Sequence, residues 1–156
     1  MSNRHSYVGQ NLSNRDFSGQ DLEGADFRNS ILKGVNFTGA NLERANFSSA
    51  YLDGANFSES NLAQATFYRA YLVSAEFTGA TLTATIFERA CLICANFESA
   101  RLTGADFTKA DLNTAAVDIG SLNDCRLSDT TLPDGTRSHL PLMLQHIDTA
   151  KILPYL

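Results

Sequence analysis

The sequence has few cysteines and no long apolar run, and both features limit the classes of protein to which it can belong. Three cysteines in 156 residues, with no secretion signal, do not favour a disulfide framework. No uninterrupted apolar run approaches the roughly 20 residues of a membrane span, and the first ten residues, MSNRHSYVGQ, lack the apolar core of a signal peptide. We therefore expect one cytoplasmic domain and no membrane partner.

Basic residues are also in the minority. The chain has 12 Lys and Arg against 17 Asp and Glu, which gives a net charge of -5 at pH 7. Binding to a phosphate backbone requires clustered Lys and Arg, so direct contact with nucleic acid is not expected. With 44% hydrophobic residues the chain has enough apolar material for a core.

A large apolar residue recurs at every fifth position from residue 27 to residue 112, and Phe alternates with Leu, as in Phe27, Leu32, Phe37 and Leu42. Neither an α-helix nor a flat strand has this period. The same positions continue to Leu12 in one direction and to residue 132 in the other, so about 25 five-residue units fill most of the chain. The chain is therefore predicted to be a repeat protein.

Within each unit the residue types predict a short strand followed by a corner. A small residue, usually alanine, stands two positions before the large one, and an Asp or Asn commonly lies between them. Small, polar and large residues in this order are typical of an extended segment with one buried face. The next two residues are rich in Gly, Ser and Thr, which favour tight turns.

Four units make one coil, because several columns repeat only every 20 residues. Ile31, Tyr51, Tyr71 and Cys91 occupy the middle position of every fourth unit, and Arg69, Arg89 and Lys109 also recur at this spacing. Coils that stack by inter-strand hydrogen bonds rise about 4.8 Å each, so about six coils form a rod roughly 30 Å long. Phe is then predicted to line two opposite walls and Leu the other two.

The units ANLER (40–44), ANFSS (45–49), ADFTK (105–109) and ADLNT (110–114) resemble the A(D/N)LXX and A(D/N)FXX motifs of the pentapeptide-repeat family. The resemblance covers about four fifths of the chain. It implies an all-β solenoid, a right-handed quadrilateral β-helix with the large and small residues inside. The ending TLPDGT (131–136) is similar to the close of many bacterial members.

The two ends depart from the repeat. Residues 1–9 are expected to form an N-terminal cap, and residues 10–135 the β-helix. Gln10, Arg15 and Gln20 replace the small residue, which predicts an open first coil. Residues 136–156 are predicted to form a short helix and an apolar tail, with Ser138 as its cap. This segment could cover the open end of the rod or join two subunits.

Two walls of the predicted rod carry distinctive outward residues. We call the first the acidic wall, which has five acids and no basic residue at its outward positions: Asp16, Glu59, Glu76, Glu98 and Asp118. We call the second the apolar stripe, where polar residues would be typical of the repeat: Ile31, Tyr51, Tyr71, Val73, Cys91 and Ile93. Contiguous exposed apolar surface usually marks a contact site, although stacked β-favouring residues can also stabilise neighbouring coils.

Residues suited to catalysis or metal binding are few, and no enzyme activity, cofactor or metal is predicted. Cys91 and Cys94 form a CxxC pattern without the following helix that lowers a thiol pKa. His139 and His146 lack a third ligand. No Gly-rich phosphate loop interrupts the repeat.

Three hypotheses for function remain. The first is a non-catalytic scaffold that binds a protein partner or a second copy through the apolar stripe or the C-terminal tail. The second follows from the resemblance, because some pentapeptide-repeat proteins mimic duplex DNA and bind DNA gyrase, and the acidic wall fits this role. The third is a redox enzyme that uses Cys91 and Cys94.

Overall fold

The computed structural model describes residues 5–138, and the repeat forms a four-sided coil with 20 residues per turn. Parallel bridges join Ile31 to Tyr51, Tyr51 to Tyr71, and Tyr71 to Cys91. Bridges with the same spacing of 20 residues run along the other three sides, for example between Asn36 and Asn56. The prediction that residues 20 apart lie above one another is confirmed.

On each side of the coil a short extended segment pairs with the coils above and below, and the rest of the unit is a turn. The N–H of the small residue donates to the carbonyl of the large residue three positions earlier, as Ala25 does to Leu22 at 3.0 Å. The residue before the small one has positive φ, +64° at Gly24 and +67° at Gly54, where glycine avoids the strain of a side chain. These corners are the reason that extended segments stay so short.

The frequent Asp and Asn have a structural role in the same turn. The side-chain oxygen of Asn56 accepts a hydrogen bond from the N–H of Ser58 at 2.9 Å, and Asp106 accepts from Thr108 at 2.9 Å. Such bonds stabilise a turn in the way that a backbone bond does. The polar residue between two inward side chains therefore helps each corner to form.

Two columns of phenylalanine fill the interior and contact each other across it. Phe47 stacks on Phe67 with ring centroids 4.9 Å apart, and Phe57 stacks on Phe77 at 5.1 Å. Phe47 and Phe57, which come from opposite faces, meet edge to face at 5.6 Å. Leucines fill the other two walls, and all these side chains are fully buried at midrod. The predicted placement of Phe and Leu is confirmed.

Buried hydroxyl groups at the small position are hydrogen-bonded to carbonyls inside the rod. Ser60 donates to the Phe57 carbonyl at 2.7 Å, and Thr85 donates to the Leu62 carbonyl of the coil below at 2.9 Å. Among the described residues, no buried side-chain nitrogen or oxygen lacks a partner. The buried polar groups of the interior are therefore hydrogen-bonded, and its apolar side chains are closely packed.

The first coil is as open as the sequence predicts. Gln10, Arg15 and Gln20 are exposed, although their backbone carbonyls still accept hydrogen bonds from the next coil. Tyr7 takes the place of a phenylalanine, because its ring stacks on Phe27 with centroids 4.7 Å apart. The aromatic column therefore begins within the segment expected to be an N-terminal cap.

The last coil is irregular. A 3-10 helix spans Ile119–Leu122, and the Asp118 side chain caps it by accepting from the N–H of Gly120 at 3.1 Å. This helix replaces an extended segment, and within residues 5–138 no bridge joins Arg101 to Ser121. Here the regular stacking ends on one side of the rod.

The described chain ends by doubling back on its last unit. Thr131 and Arg137 form an antiparallel bridge, and the Ser138 N–H donates to the Thr130 carbonyl at 2.9 Å. Residues 136–138 are thus extended against the last unit, and the Ser138 hydroxyl accepts from the Thr130 N–H at 3.1 Å. The rest of the predicted helix and tail, residues 139–156, lies outside the described residues, as do residues 1–4.

Candidate functional site

The apolar stripe lies on one face of the rod, in two neighbouring columns. Ile31, Tyr51, Tyr71 and Cys91 follow directly after inward-pointing small residues, so their side chains point outward. Tyr51 is 44% exposed and Tyr71 48% exposed. The second column contributes Val73 and Ile93, which are half-buried. Residues from four consecutive coils thus form one apolar surface.

The two tyrosines of the apolar stripe stack on each other. Their ring centroids are 5.0 Å apart and the planes differ by 2°. This contact stabilises neighbouring coils in the manner of a cross-strand pair. Because each tyrosine residue still has almost half of its surface exposed, the contact leaves apolar edges and hydroxyl groups available to a partner.

Charged residues border the apolar stripe. On its face, Lys33 and Asp53 form an ion pair at 3.5 Å in the lower coils, and Asp111 follows Cys91 in the upper ones. A second border lies along the adjoining corner, where Arg69 and Arg89 each precede a residue of the stripe by two positions. The patch therefore has an apolar centre and a charged rim, as protein contact surfaces commonly have.

The 20-residue spacing of Arg69, Arg89 and Lys109 places them in one column, in units centred on the wall opposite the acidic one. The bridges place them at the corner between that wall and the apolar stripe. The signal was present in the sequence, since Arg69 and Tyr71 are separated only by Ala70, which is buried.

All five side chains of the acidic wall are exposed; four lie on one face, and Glu59 lies at its corner with the next face. The pKa of Asp16 is lowered because the hydroxyl and N–H of Ser18 and the amide of Asn36 donate to its carboxylate. Arg15, at the small position of the first unit on this wall, is also exposed, so the face is not free of basic residues.

A shallow depression of about 300 Å³ lies at the upper end of the acidic wall, lined by Asn96, Glu98, Ser99, Ala116, Val117 and Asp118. It is open to solvent. Among the described residues, no group of three or more His, Cys, Asp or Glu side chains is arranged to hold a metal ion. The depression therefore offers two carboxylates but no chelating set.

The environment of the cysteines disfavours thiol chemistry. Desolvation raises the pKa of the Cys91 thiol, and burial raises the pKa of Cys125 to about 11. Cys94 is exposed, and its sulfur lies 3.1 Å from the hydroxyl of Thr114. A reactive cysteine needs a lowered pKa, so Cys91 has the opposite of what a redox motif requires. The two histidines considered for metal binding, His139 and His146, lie outside the described residues.

We expect Cys91 to react slowly with iodoacetamide. At pH 8, less of this thiol is ionised in the folded protein than in the unfolded chain, because burial favours the protonated form. The alkylation rate at Cys91, measured by peptide mass spectrometry, should be several-fold lower in buffer than in urea. A folded-state rate above the unfolded one would indicate an activated thiol and revive the redox hypothesis.

A family model of pentapeptide repeats matches the chain in 8 copies, over residues 11–48, 50–89 and 87–115. No curated protein matches the chain. Within residues 5–138 no helix has the length and apolar character that crossing a membrane requires.

Three solved structures illustrate the similarity. A pentapeptide repeat protein from the thylakoid lumen of Arabidopsis thaliana is 34% identical, with a TM-score of 0.50, and the alignment covers 85% of each chain. HetL, involved in heterocyst differentiation regulation in the cyanobacterium Nostoc, is 19% identical with a TM-score of 0.50, covering 87% of this chain and 94% of HetL. A trypsin-treated variant of QnrB1, a plasmid-mediated fluoroquinolone resistance protein, is 19% identical with a TM-score of 0.52, covering 83% and 75%. The last two show the fold alone.

Proposed function

Since this chain belongs to the pentapeptide-repeat family, we propose that it is a non-catalytic protein-binding module and that the apolar stripe is its binding surface. In this proposal the right-handed quadrilateral coil typical of the family serves as a stiff support. Its rigidity holds the stripe in one shape, which lowers the entropy lost when a partner binds.

The observation that carries the proposal is the replacement of turn-forming residues by apolar ones. At the equivalent position elsewhere, Asn36 and Asn56 accept a hydrogen bond from the backbone two residues later, at 3.0 and 2.9 Å. Ile31, Tyr51 and Tyr71 have no side-chain acceptor that can do the same. A hydrogen bond of this kind contributes about 0.5–1.5 kcal/mol to the stability of the fold. The stripe lacks this bond at several corners and has exposed apolar side chains there instead.

Charging the apolar stripe is the direct test. We expect Tyr71→Asp to abolish recovery of partner proteins in a quantitative pull-down from the native host, because it places a charge in the centre of the contact surface. Thr81→Asp is the matched control, since Thr81 has the same position in its unit on the opposite face of the same coil. Both variants should keep the circular dichroism spectrum of the wild type. Equal recovery of the same proteins by both variants would contradict the proposal.

Self-association through the stripe is the main competing use of this surface. A specific, stable protein–protein interface usually buries about 800 Å² per partner, and obligate homodimers bury more. A face of four coils is only about 20 Å tall, so the area that it offers is limited. The stripe alone is therefore small for a dimer of rods and suits a shorter partner segment. Analytical ultracentrifugation of the wild type and Tyr71→Asp distinguishes a homodimer from binding of a shorter partner segment. A wild-type dimer that dissociates in the variant would assign the stripe to a second copy.

The acidic wall favours a second candidate function, the mimicry of duplex DNA toward DNA gyrase. Its five exposed carboxylates lie along six coils, so the mean spacing exceeds the rise of about 4.8 Å per coil. Duplex DNA carries one charge per about 1.7 Å, so the wall has a much lower charge density. A supercoiling assay tests this candidate, and inhibition by the wild type that is lost in Glu59→Lys with Glu98→Lys would support it.

The location of the protein is also part of the proposal. A cytoplasmic site is the prediction from the sequence, whereas the similar Arabidopsis protein is from the thylakoid lumen. Fractionation of host cells with an antibody to the chain distinguishes the cytoplasm from other compartments.

A further inference from the structure

Resting on the proposed function, we infer that the partner of the apolar stripe is an amphipathic protein segment with a row of acidic residues. Its apolar side chains would contact Ile31, Tyr51 and Tyr71, and its carboxylates would meet Arg69, Arg89 and Lys109. We call these three basic residues the cation row.

The cation row follows one corner of the rod beside the upper part of the stripe, because Arg69 is level with Tyr71 and Arg89 with Cys91. Arg69, Arg89 and Lys109 are the last residues of units in three consecutive coils, and all three are exposed. Their φ angles are +56°, +60° and +60°, in the region that favours glycine. The lower coils have Asn29 and Ser49 at this corner. Long basic side chains therefore occupy positions where glycine would suit the turn itself better.

The cations of this row are only weakly neutralised within the chain. Arg89 contacts Glu88 at 3.4 Å, and both side chains are more than a third exposed, so water screens the pair. The Arg69 guanidinium lies 5.2 Å from the centre of the Tyr68 ring, and the described residues include no ion pair of Lys109. Like charges on neighbouring rungs repel, and an acidic partner would relieve this repulsion.

The dimensions of the surface fit an α-helix lying along the rod. Three cations on consecutive coils span about 10 Å, because each coil rises about 4.8 Å. In a helix, residues seven positions apart are separated by about 10.5 Å along the axis, with a third residue of the same row between them. Acidic residues at i, i+3 or i+4, and i+7 thus match the row. The adjacent apolar positions of the helix then contact Tyr71, which is level with Arg69, and the part of the helix below the row contacts Tyr51 one coil lower.

A single-stranded nucleic acid is a poorer fit, although cations and aromatic rings could attract one. Bases bind by stacking on free ring faces, whereas Tyr51 and Tyr71 stack on each other with planes 2° apart. The carboxylates of Asp53 and Asp111 also lie on the stripe face, and the whole chain has a net charge of -5. These charges oppose a phosphate backbone that runs over the stripe face, whereas an acidic row confined to the corner lies beside the cations and presents its apolar residues to the stripe.

The test is selection from a phage-displayed library of 18-residue peptides on the full chain. We expect enriched peptides to have Asp or Glu at spacings of three and four, with aliphatic or aromatic residues beside them. A fluorescent copy of the best peptide should bind with at least tenfold lower affinity to Arg89→Glu and to Tyr71→Asp. Binding should also weaken as salt is raised from 50 to 300 mM. Arg101→Glu, on the opposite face, is the control and should bind like the wild type.

The outcomes separate this inference from the proposed function. Peptides without acidic residues that lose binding to Tyr71→Asp but not to Arg89→Glu would overturn the acidic partner and leave the protein-binding function standing. No enrichment, or equal binding to all variants, would overturn both. Fluorescent oligo-dT that binds the wild type but not Arg89→Glu would assign the cation row to nucleic acid, and a dimer lost in Tyr71→Asp would assign the stripe to a second copy. Each variant is first checked for an unchanged melting temperature.

Discussion

Replacing Phe57 by alanine is expected to lower the free energy of unfolding by about 3–5 kcal/mol. The ring is fully buried and stacks on Phe37 at 5.2 Å and on Phe77 at 5.1 Å. It also meets Phe47 and Phe67 edge to face, at 5.6 and 5.5 Å. The substitution leaves a cavity among four rings that belong to three successive coils, and urea unfolding followed by circular dichroism measures the loss.

The repeat makes this cost hard to relieve. The Cα atoms around the cavity are fixed by hydrogen bonds to the coils above and below, for example Phe57 N–H to the Glu76 carbonyl at 2.7 Å. A site that cannot collapse keeps its cavity, which places the cost toward the upper part of the range. Tyr68→Ala is the control, because Tyr68 is an aromatic residue of the outer surface and only half-buried. Equal losses for the two variants would show that the stacked interior is not the main source of stability.

The sequence was sufficient to predict the interior and the register. Alternating Phe and Leu, with alanine two positions before each, determine which side chains are inside, and the 20-residue recurrence of Tyr51 and Tyr71 determines how coils stack. Both predictions succeed for the same physical reason. Every coil has a similar coil above and below, so one set of packing rules applies throughout the rod.

The ends could not be predicted in the same way, because a terminal coil has a neighbour on one side only. The 3-10 helix at Ile119–Leu122 depends on Asp118 as a cap, and the same aspartate would have fitted an ordinary corner. The sequence predicts Ser138 as the cap of a helix, whereas in the described chain Ser138 hydrogen-bonds to Thr130. In both cases a local hydrogen bond decides the conformation where the repeat no longer does.

The candidate site was predicted in part. The outward position of Tyr51 and Tyr71 follows from the period of five, and their exposure is as expected. The sequence does not predict that Arg69 and Arg89 border the apolar stripe, because a corner residue belongs to two faces. A division of the sequence into separate walls counts such a residue on one face only. Charge and apolar surface that meet at a corner become visible only when neighbouring walls are considered together.

Enlarging the small position should be almost as costly as emptying the large one. We expect Ala65→Leu to lower the free energy of unfolding by about 2–6 kcal/mol, from about 1–3 kcal/mol of overpacking and about 1–3 kcal/mol for a lost buried hydrogen bond. Ala65 is fully buried in the interior, and its N–H donates to the Leu62 carbonyl at 3.0 Å. That carbonyl also accepts from the Thr85 hydroxyl at 2.9 Å, so a larger side chain at this level competes with the hydroxyl for space.

The matched control for this prediction is Ala63→Leu, two residues earlier in the same turn. Ala63 points outward and is half-buried, so a leucine there adds surface contact without entering the interior. Its effect on unfolding should stay within about 0.5 kcal/mol, as for most surface substitutions. The comparison is made by urea unfolding with unchanged m-values, since the two variants have the same composition and differ only in where the side chain lies. If Ala65→Leu were tolerated as well as Ala63→Leu, the interior of the rod would have spare volume. Alanine at this position would then be explained by the needs of the turn and not by the packing of the interior.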